Sequence, residues 1–509
     1  MDTEKKGLEA RASRGFRRAG VVLITVLATN VARPSPARAA LGTWTTLANT
    51  PPIDCLPAAL LTDGSVLCER SDATLTPNWY KLKPDSSGGY ANGIWSQVAS
   101  AHTWRLDYPS AILKDGRYWV AGGELGGGNN HGSVEIYDPV ADTWAQGPDF
   151  PYVDSNGQPL GIFDGSGSVL ADGRVLCSSF AGGPSVPSLE WRRIAFIFNP
   201  ATMTWSDTSH GPGPITHEQG FTLLADGTIF TMGAGGVGTG FIYSPSANAW
   251  TQKAAPAGPL MAVGNDEIGA QSLLYSGKIL VFGEFIAADG VAHNNVYDPA
   301  TNTWANNVPD TPASNLPLAD TLAVVMPNGH VLTESFGDNA TTFLEYDPDA
   351  NAFTLAPPLP APETTPSSFP PGLMLPDGQV LVYATPKMLL YTPSGGPQAA
   401  WRPSITSVSL VSGRTYQVTG RGLNGVTSGA VEGDDAVFAT NYPIAYVVDH
   451  VGHVTYLRTT NFSTMAPAVA GTTQLTHFQF VVASGLTHGR YQLFVSASGV
   501  SSTGRTVQL

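Results

Sequence analysis

The chain has 509 residues, with 26 Lys or Arg and 40 Asp or Glu, so its formal net charge is −14. This acidic balance argues against a nucleic-acid-binding protein, because phosphate binding needs a basic face. Charged residues make up only 13% of the chain, whereas glycines number 56 and prolines 40. Such a composition favours many short strands joined by tight turns over a helical fold.

The first 39 residues have the pattern of a secretory signal peptide. A charged segment precedes an apolar run at residues 19–28, and Ala37-Arg38-Ala39 resembles a cleavage site. The apolar run is about half of the roughly 20 residues that span a bilayer, which argues against a membrane anchor. No later run is long and apolar enough to span a membrane. We expect secretion, or export to the periplasm or cell surface, with cleavage near Ala39; the export route stays open.

A hairpin signal recurs seven times between residues 63 and 378. Each copy is a two-residue turn between two short apolar runs, a pattern that predicts a hairpin of strands a and b with positive φ in the turn. The turns are Asp63-Gly64, Asp115-Gly116, Asp172-Gly173, Asp226-Gly227, Ser276-Gly277, Asn328-Gly329 and Asp377-Gly378. Their glycines lie 52, 57, 54, 50, 52 and 49 residues apart. The spacing indicates repeated units of about 50 residues.

A second motif follows the hairpin in most units and predicts strands c and d. An apolar run ends in an aromatic residue, a turn with proline follows, and a second aromatic residue stands five positions after the proline. The copies span residues 137–144, 198–205, 243–250, 297–304 and 346–353, beginning with Tyr-Asp-Pro-Val-Ala-Asp-Thr-Trp. We expect the two aromatic residues to pack across the c–d hairpin.

Seven four-stranded units predict an all-β fold whose main part is a seven-bladed β-propeller over residues 40–400. The seventh unit has strand c at Met388–Tyr391 but no strand d before Gly395-Gly396-Pro397. We expect residues 42–46, at the mature N-terminus, to supply that strand and close the ring, which removes a sheet edge.

The pattern changes after residue 400. Five short alternating strands between glycine turns are predicted at residues 405–410, 415–419, 453–457, 477–482 and 491–495. About a hundred residues of this kind favour an immunoglobulin-like β-sandwich, so residues 401–509 are assigned to a C-terminal domain.

With these repeats, and with Gly122-Gly123 after strand b of the second unit, the chain resembles kelch-type propellers of the galactose oxidase and glyoxal oxidase group. The resemblance implies a copper ion bound by two tyrosines and two histidines, with one tyrosine thioether-linked to a cysteine. The cysteine falls on Cys55 and the linked tyrosine near Tyr108, one residue out of register. A Tyr-His pair of the group falls on Ser368-Phe369, and the C-terminal histidine has no match. We therefore expect Cys55 and Tyr108 to be vestigial and copper to be absent.

Carboxylates gather where the strands a begin. The position eight residues before the hairpin turn is acidic in four units, and further polar residues stand beside it. These residues are Asp107, Asp164, Glu218 and Asp320, with His217 and Glu267 as neighbours. Converging carboxylates repel each other unless a cation or protons intervene, so such a site favours Ca²⁺ or a cationic or polyhydroxylated ligand. The alternative is a set of solvated carboxylates in a wet channel.

The three cysteines are predicted to be free. Cys68 and Cys177 each stand four residues after a turn glycine, where other units have valine, so they are interpreted as core residues. Counting back from the turn places Cys55 too far along strand a for a disulfide with Cys68.

These patterns favour a secreted, non-catalytic protein, expected to be a monomer, that binds a glycan or a protein at its top face or axial channel. The contact loops are predicted at residues 126–131 and 184–193, with Trp191 as an aromatic anchor. The alternative is a copper radical oxidase that oxidises alcohols or aldehydes and releases hydrogen peroxide.

Overall fold

The computed structural model describes most of the chain after residue 41. The described ranges are 42–70, 76–106, 108–123, 132–153, 161–162, 167–178, 195–208, 220–232, 238–260, 268–283, 285–286, 291–311, 322–337, 340–360, 372–384, 387–427 and 442–509. Within them the regular structure is β-strand, apart from one short 3-10 helix at Ala399–Trp401. No helix in these ranges has the length and apolar character needed to cross a membrane.

Seven four-stranded antiparallel sheets form the blades, and β1 (Thr43–Thr46) belongs to the last of them. Blade one is β2 (Cys55–Leu60), β3 (Val66–Arg70), β4 (Trp79–Lys83) and β5 (Ile94–Val98). Blade two is β6 (Ser110–Ile112), β7 (Tyr118–Ala121), β8 (Val134–Asp138) and β9 (Thr143–Gln146). Blade three is β10 (Gly167–Val169), β11 (Val175–Ser178), β12 (Ala195–Asn199) and β13 (Thr204–Asp207).

The remaining blades repeat the same strand order. Blade four is β14 (Thr222–Leu223), β15 (Ile229–Met232), β16 (Gly240–Ser244) and β17 (Ala249–Gln252). Blade five is β18 (Gln271–Leu273), β19 (Ile279–Val281), β22 (Asn295–Asp298) and β23 (Thr303–Trp304), with a side hairpin of β20 (Phe285–Ile286) and β21 (Val291–Ala292). Blade six is β24 (Ala323–Val325), β25 (Val331–Gly337), β26 (Ala340–Asp347) and β27 (Ala352–Leu355). Blade seven is β28 (Gly372–Met374), β29 (Val380–Ala384), β30 (Lys387–Thr392) and β1.

The first strands of the blades lie beside one another, as expected for strands a around a central axis. Adjacent pairs are β2 and β28, β28 and β24, β24 and β18, β18 and β14, β14 and β10, and β10 and β6. The predicted ring closure is confirmed, because β1 pairs antiparallel with β30 and places Trp44 opposite Tyr391. All seven turn glycines have positive φ, between 78° and 95°, but the residues before them do not, so the predicted two-residue turns are wrong. Each loop has three residues, as in blade one, where the amide of Leu61 donates to Ser65 and the amide of Gly64 donates to Leu61.

One residue of the c–d turn has the left-handed backbone conformation, which explains the Asn or Asp found there in most blades. Asn302 has φ 56°, and the hydroxyl of Tyr297, five residues earlier, donates to its side-chain oxygen at 2.9 Å. Asn and Asp tolerate this conformation better than most residues. The same bond joins Tyr137 to Asp142, Tyr243 to Asn248 and Tyr346 to Asn351. The motif therefore fixes the turn as well as the predicted aromatic pair, which in blade five has ring centroids 5.0 Å apart.

The blade tryptophans also connect neighbouring blades. The indole N–H of Trp304 donates to the carbonyl oxygen of Ala254, which follows strand d of blade four. Trp144 and Trp205 make the equivalent bonds to Ala99 and Pro148. A tryptophan N–H buried at such a contact needs an acceptor, and the preceding blade supplies it.

Two sheets follow the propeller. One contains β31 (Ser404–Ser412), β32 (Thr415–Arg421), β35 (Thr459–Thr460) and β36 (Thr476–Val481). The other contains β33 (Ile444–Val448), β34 (Val454–Leu457), β37 (Arg490–Ala497), β38 (Val500–Ser501) and β39 (Arg505–Gln508). The five strands expected here are present, and β33, β35, β38 and β39 are additional. The immunoglobulin-like assignment stays a prediction.

The C-terminal sheets contact the propeller at the a–b turns. Backbone amides of Asn461 and Met465 donate to Lys114 and Ala171, at the turns of blades two and three, at 2.7 and 2.9 Å. The Ser496 hydroxyl donates to Pro376 at the turn of blade seven, at 2.7 Å. The face that carries these turns is therefore covered, at least in part, by the C-terminal region. We call the opposite face, where the strands a begin, the top face.

Candidate functional site

The structure describes little of the predicted top-face site. Its carboxylates and their neighbours lie outside the described residues, namely Asp107, Asp164, His217, Glu218, Glu267 and Asp320. Trp191 and the two predicted contact loops also lie outside them. The calcium site and the top-face ligand site therefore stay predictions. Cys55 and Tyr108 are described, and the site can be built from them.

The prediction of three free cysteines is wrong for Cys55 and Cys68. These two residues form a disulfide, with their Cα atoms 5.6 Å apart. A β-bulge is the reason: Cys55 pairs with Arg70 and Ala58 pairs with Cys68, so three steps along β2 match two steps along β3. Counting in a regular hairpin placed Cys55 too far away. Cys177 is free and buried, as expected.

Glu69, which follows Cys68 in sequence, forms a buried pair with Tyr108. The Tyr108 hydroxyl donates to Glu69 Oε2 at 2.7 Å, and the backbone amide of Arg105 donates to Oε1 at 3.3 Å. Burial raises the pKa of Glu69 to about 8, although both hydrogen bonds act to lower it. Burial also raises the pKa of Tyr108 well above its usual range. At neutral pH the phenol and most of the carboxyl population are therefore protonated.

A buried ion pair extends from the same point into blade two. Arg105 is 1% exposed, and its Nη2 lies 3.0 Å from Oε2 of Glu135, which is also 1% exposed. Arg105 further donates to the carbonyl oxygen of Gly122 at 2.6 Å and to the hydroxyl of Ser133 at 2.7 Å. Burial alone would raise the pKa of Glu135, but the backbone amide of His102 and the guanidinium charge lower it below its usual value.

These two clusters were missed in the sequence, although a signal was present. Glu69 and Glu135 are charged residues that follow apolar residues inside β3 and β8, and burial of such a residue requires a partner. Their partners Tyr108 and Arg105 come from the segment between blades one and two. Each cluster orders the start of the inner strand of blade two. A neutral phenol on a protonated carboxyl, and a guanidinium whose two terminal nitrogens are paired, suit this structural role.

The described residues do not fit the copper centre that the resemblance implies. The sulfur of Cys55 is bonded to Cys68, so it has no valence left for a thioether with Tyr108. The hydroxyl of Tyr108 is bound to Glu69 in the core. No group of three or more His, Cys, Asp or Glu side chains within the described ranges is arranged to hold a metal ion.

Comparisons with known proteins agree with the architecture. Residues 109–151, in blade two, match the family model of the Kelch motif. A fungal alcohol oxidase of the AA5 family, solved in complex with copper, is 14% identical, with 92% of this chain and 99% of that chain covered and a TM-score of 0.50. The extracellular domain of a hybrid two-component system from B. thetaiotaomicron is 10% identical, with 92% and 56% covered and a TM-score of 0.42. No curated protein sequence matches this chain. At 14% identity the likeness to the oxidase is one of fold alone.

Proposed function

We propose that this kelch-like propeller is an exported, non-catalytic protein that binds a glycan or a protein at its top face or axial channel. The observation that carries the proposal is the bonding of Cys55 and Tyr108. These are the two residues that match the oxidase ligand set, and one is tied to Cys68 while the other is tied to Glu69. Both are buried and serve the packing of blades one and two. With Cys55 and Tyr108 bonded in this way, the propeller has a scaffold like that of the oxidases but lacks their cross-linked cysteine and tyrosine.

Export is supported by two independent features. The first 39 residues carry the charged, apolar and small-residue segments of a signal peptide. The disulfide between Cys55 and Cys68 is of a kind that persists in oxidising compartments and is rare in the cytosol.

The top face is proposed as the binding surface because the C-terminal region contacts the other face. The acidic residues Asp164 and Asp320 are placed there by the repeat spacing, eight residues before the turns of blades three and six. Loops on a rigid scaffold are common binding surfaces, and carboxylates accept hydrogen bonds from hydroxyl and amide donors.

The first test screens the purified mature protein on immobilised glycans and on extracellular proteins of its source. We expect binding that falls at least about tenfold in an Asp164→Asn/Asp320→Asn variant and in Trp191→Ala, and that is kept in Asp226→Asn. Asp226 is exposed in the a–b turn of blade four, on the opposite face, and serves as the matched control. Binding that is equal in all four proteins would remove the top-face site.

The second test addresses the oxidase alternative and the calcium prediction with the same variants. Copper is added, peroxide release is assayed on alcohols and aldehydes, and the mass of the peptide that contains Cys55 is measured by mass spectrometry. Peroxide release, together with a Cys55–Tyr108 peptide lighter by two hydrogens, would contradict the proposal. Thermal unfolding with Ca²⁺ and with EDTA tests the metal: if the wild type and the Asp164→Asn/Asp320→Asn variant respond equally, the calcium site is rejected.

A further inference from the structure

A cleft of about 580 Å³ lies between blades five and six, at the face that carries the a–b turns. Its walls come from the a–b turns and c–d segments of these blades and from the 3-10 helix that leads into the C-terminal sheets. Small-molecule sites typically measure about 300–1,000 Å³ and combine aromatic walls with a few polar groups. The size of the cleft therefore suits one or two sugar-sized units.

One wall of the cleft is aromatic. Trp401, which is half-buried, stacks on Tyr275 with ring centroids 4.0 Å apart and an interplanar angle of 18°. Both residues line the cleft. The hydroxyl of Tyr275 is buried with almost no accessible surface, so a ligand in the cleft meets the rings of Tyr275 and Trp401 and not this hydroxyl. Tyr275 as a whole is only 8% exposed.

The propeller scaffold does not require an aromatic residue at this place. Tyr275 stands two residues before the turn glycine of blade five. The equivalent residues in the other units are Thr62, Lys114, Ala171, Ala225, Pro327 and Pro376. Tyr275 is thus particular to the blade that faces Trp401. Its ring supports Trp401 and the 3-10 helix at the edge of the cleft.

The rest of the lining offers mixed donors and acceptors. Asn307 is exposed, and Lys278 is exposed with its ammonium 3.4 Å from Asp298. Asp347 already accepts from the backbone amides of its own turn, and His330 pairs with Glu345 at 2.8 Å. The charges are of both signs and partly paired, so they do not select a strong anion or cation. Amide and ammonium groups beside an aromatic surface suit a neutral ligand with hydroxyl groups and an apolar face.

We propose that this cleft binds a neutral saccharide, with a pyranose ring packed against Trp401 and its hydroxyls bonded to Asn307 and Lys278. The site is separate from the top face, so the inference goes beyond the proposed function and does not depend on it.

Isothermal titration with neutral hexasaccharides of glucose, in the cello-, malto- and laminari- linkages, tests the proposal on the full mature protein. At least one probe should bind, and its affinity should fall at least about tenfold in Asn307→Ala and in Lys278→Met. Both side chains are exposed, so the fold of these variants should stay intact. The control Gln252→Ala, exposed on β17 in blade four, should bind as the wild type does.

The outcomes separate this inference from the top-face proposal. Binding that survives both cleft variants, or that appears only with glucosamine oligomers, overturns the neutral-saccharide site. Failure of all three probes overturns it too. Saccharide binding that is lost in Asp164→Asn/Asp320→Asn and unchanged in Lys278→Met places the ligand at the top face and rejects the cleft. The reverse pattern supports the cleft and leaves the top-face proposal to its own test.

Discussion

Removal of the disulfide between Cys55 and Cys68 should destabilise the protein strongly, because both halves of the hairpin in blade one depend on it. The perturbation is the double substitution Cys55→Ala/Cys68→Ala. Both cysteines are fully buried, and both pack in the main hydrophobic core. Cys177→Ala is the matched control, since Cys177 is also fully buried and carries no disulfide.

The expected magnitude follows from the length of the closed loop. The two cysteines are 13 residues apart, and opening a loop of this size costs about 3 kcal/mol in the chain-entropy description. Each buried sulfur that is removed adds roughly 1 kcal/mol, close to the value for a methylene group. The double variant should therefore lose about 5 kcal/mol of unfolding free energy, and Cys177→Ala about 1 kcal/mol.

Urea unfolding measures these free energies, and thiol titration in guanidinium tests their cause. Without reductant we expect one reactive thiol per chain, from Cys177, and three after reduction. Reduction of the wild type should lower its stability by about the 3 kcal/mol assigned to the loop. Three reactive thiols before reduction would show that the disulfide is not formed. An equal loss of unfolding free energy per sulfur in the double variant and in Cys177→Ala would show that the disulfide does not add stability.

Three further predictions concern the core. The pKa of Glu69 is raised from 4.5 to about 8, so the folded state holds this proton more tightly than the unfolded state does. The free energy of unfolding should therefore fall from pH 5 to pH 8 by up to about 1.4 kcal/mol per pH unit. Urea titrations at several pH values measure this slope, and Glu69→Gln should flatten it. Tyr297→Phe should cost about 1 kcal/mol in urea, because it removes the hydrogen bond to the c–d turn. Gly122→Ala should cost well over 2 kcal/mol or prevent folding, since φ is 67° and a Cβ would lie 2.0 Å from the carbonyl oxygen of Ile162. Gly258→Ala, where a Cβ meets no atom within 4 Å, should change the thermal midpoint little.

The blade architecture was predictable because its rules are local. An Asp-Gly or Asn-Gly turn needs positive φ, and such turns at intervals near 50 residues fix the number of blades. The missing strand of blade seven identified β1 by elimination, and the structure pairs Trp44 with Tyr391. The spacing also placed the c–d aromatic pair correctly. The hydrogen bonds from the tryptophan indoles to the preceding blade were not predictable, because they depend on how the blades stack.

The candidate site was less predictable because it depends on departures from regular pairing. Counting from the turn assumed a regular hairpin, and the bulge in β2 brought Cys55 to Cys68. The pairing of Glu69 with Tyr108 crosses from blade one to the entry of blade two. Counting along a single hairpin gives no information on such a contact.

The sequence by itself determined the all-β class, the seven blades and the closure of the ring, since turn chemistry and strand period act over a few residues. Only the tertiary structure decided what the buried groups do. The disulfide, the ion pair of Arg105 with Glu135, and the stack of Tyr275 on Trp401 each join segments whose approach is set by packing. Packing of distant segments follows from the whole core, and only there are Cys55 bonded to Cys68 and Tyr108 to Glu69.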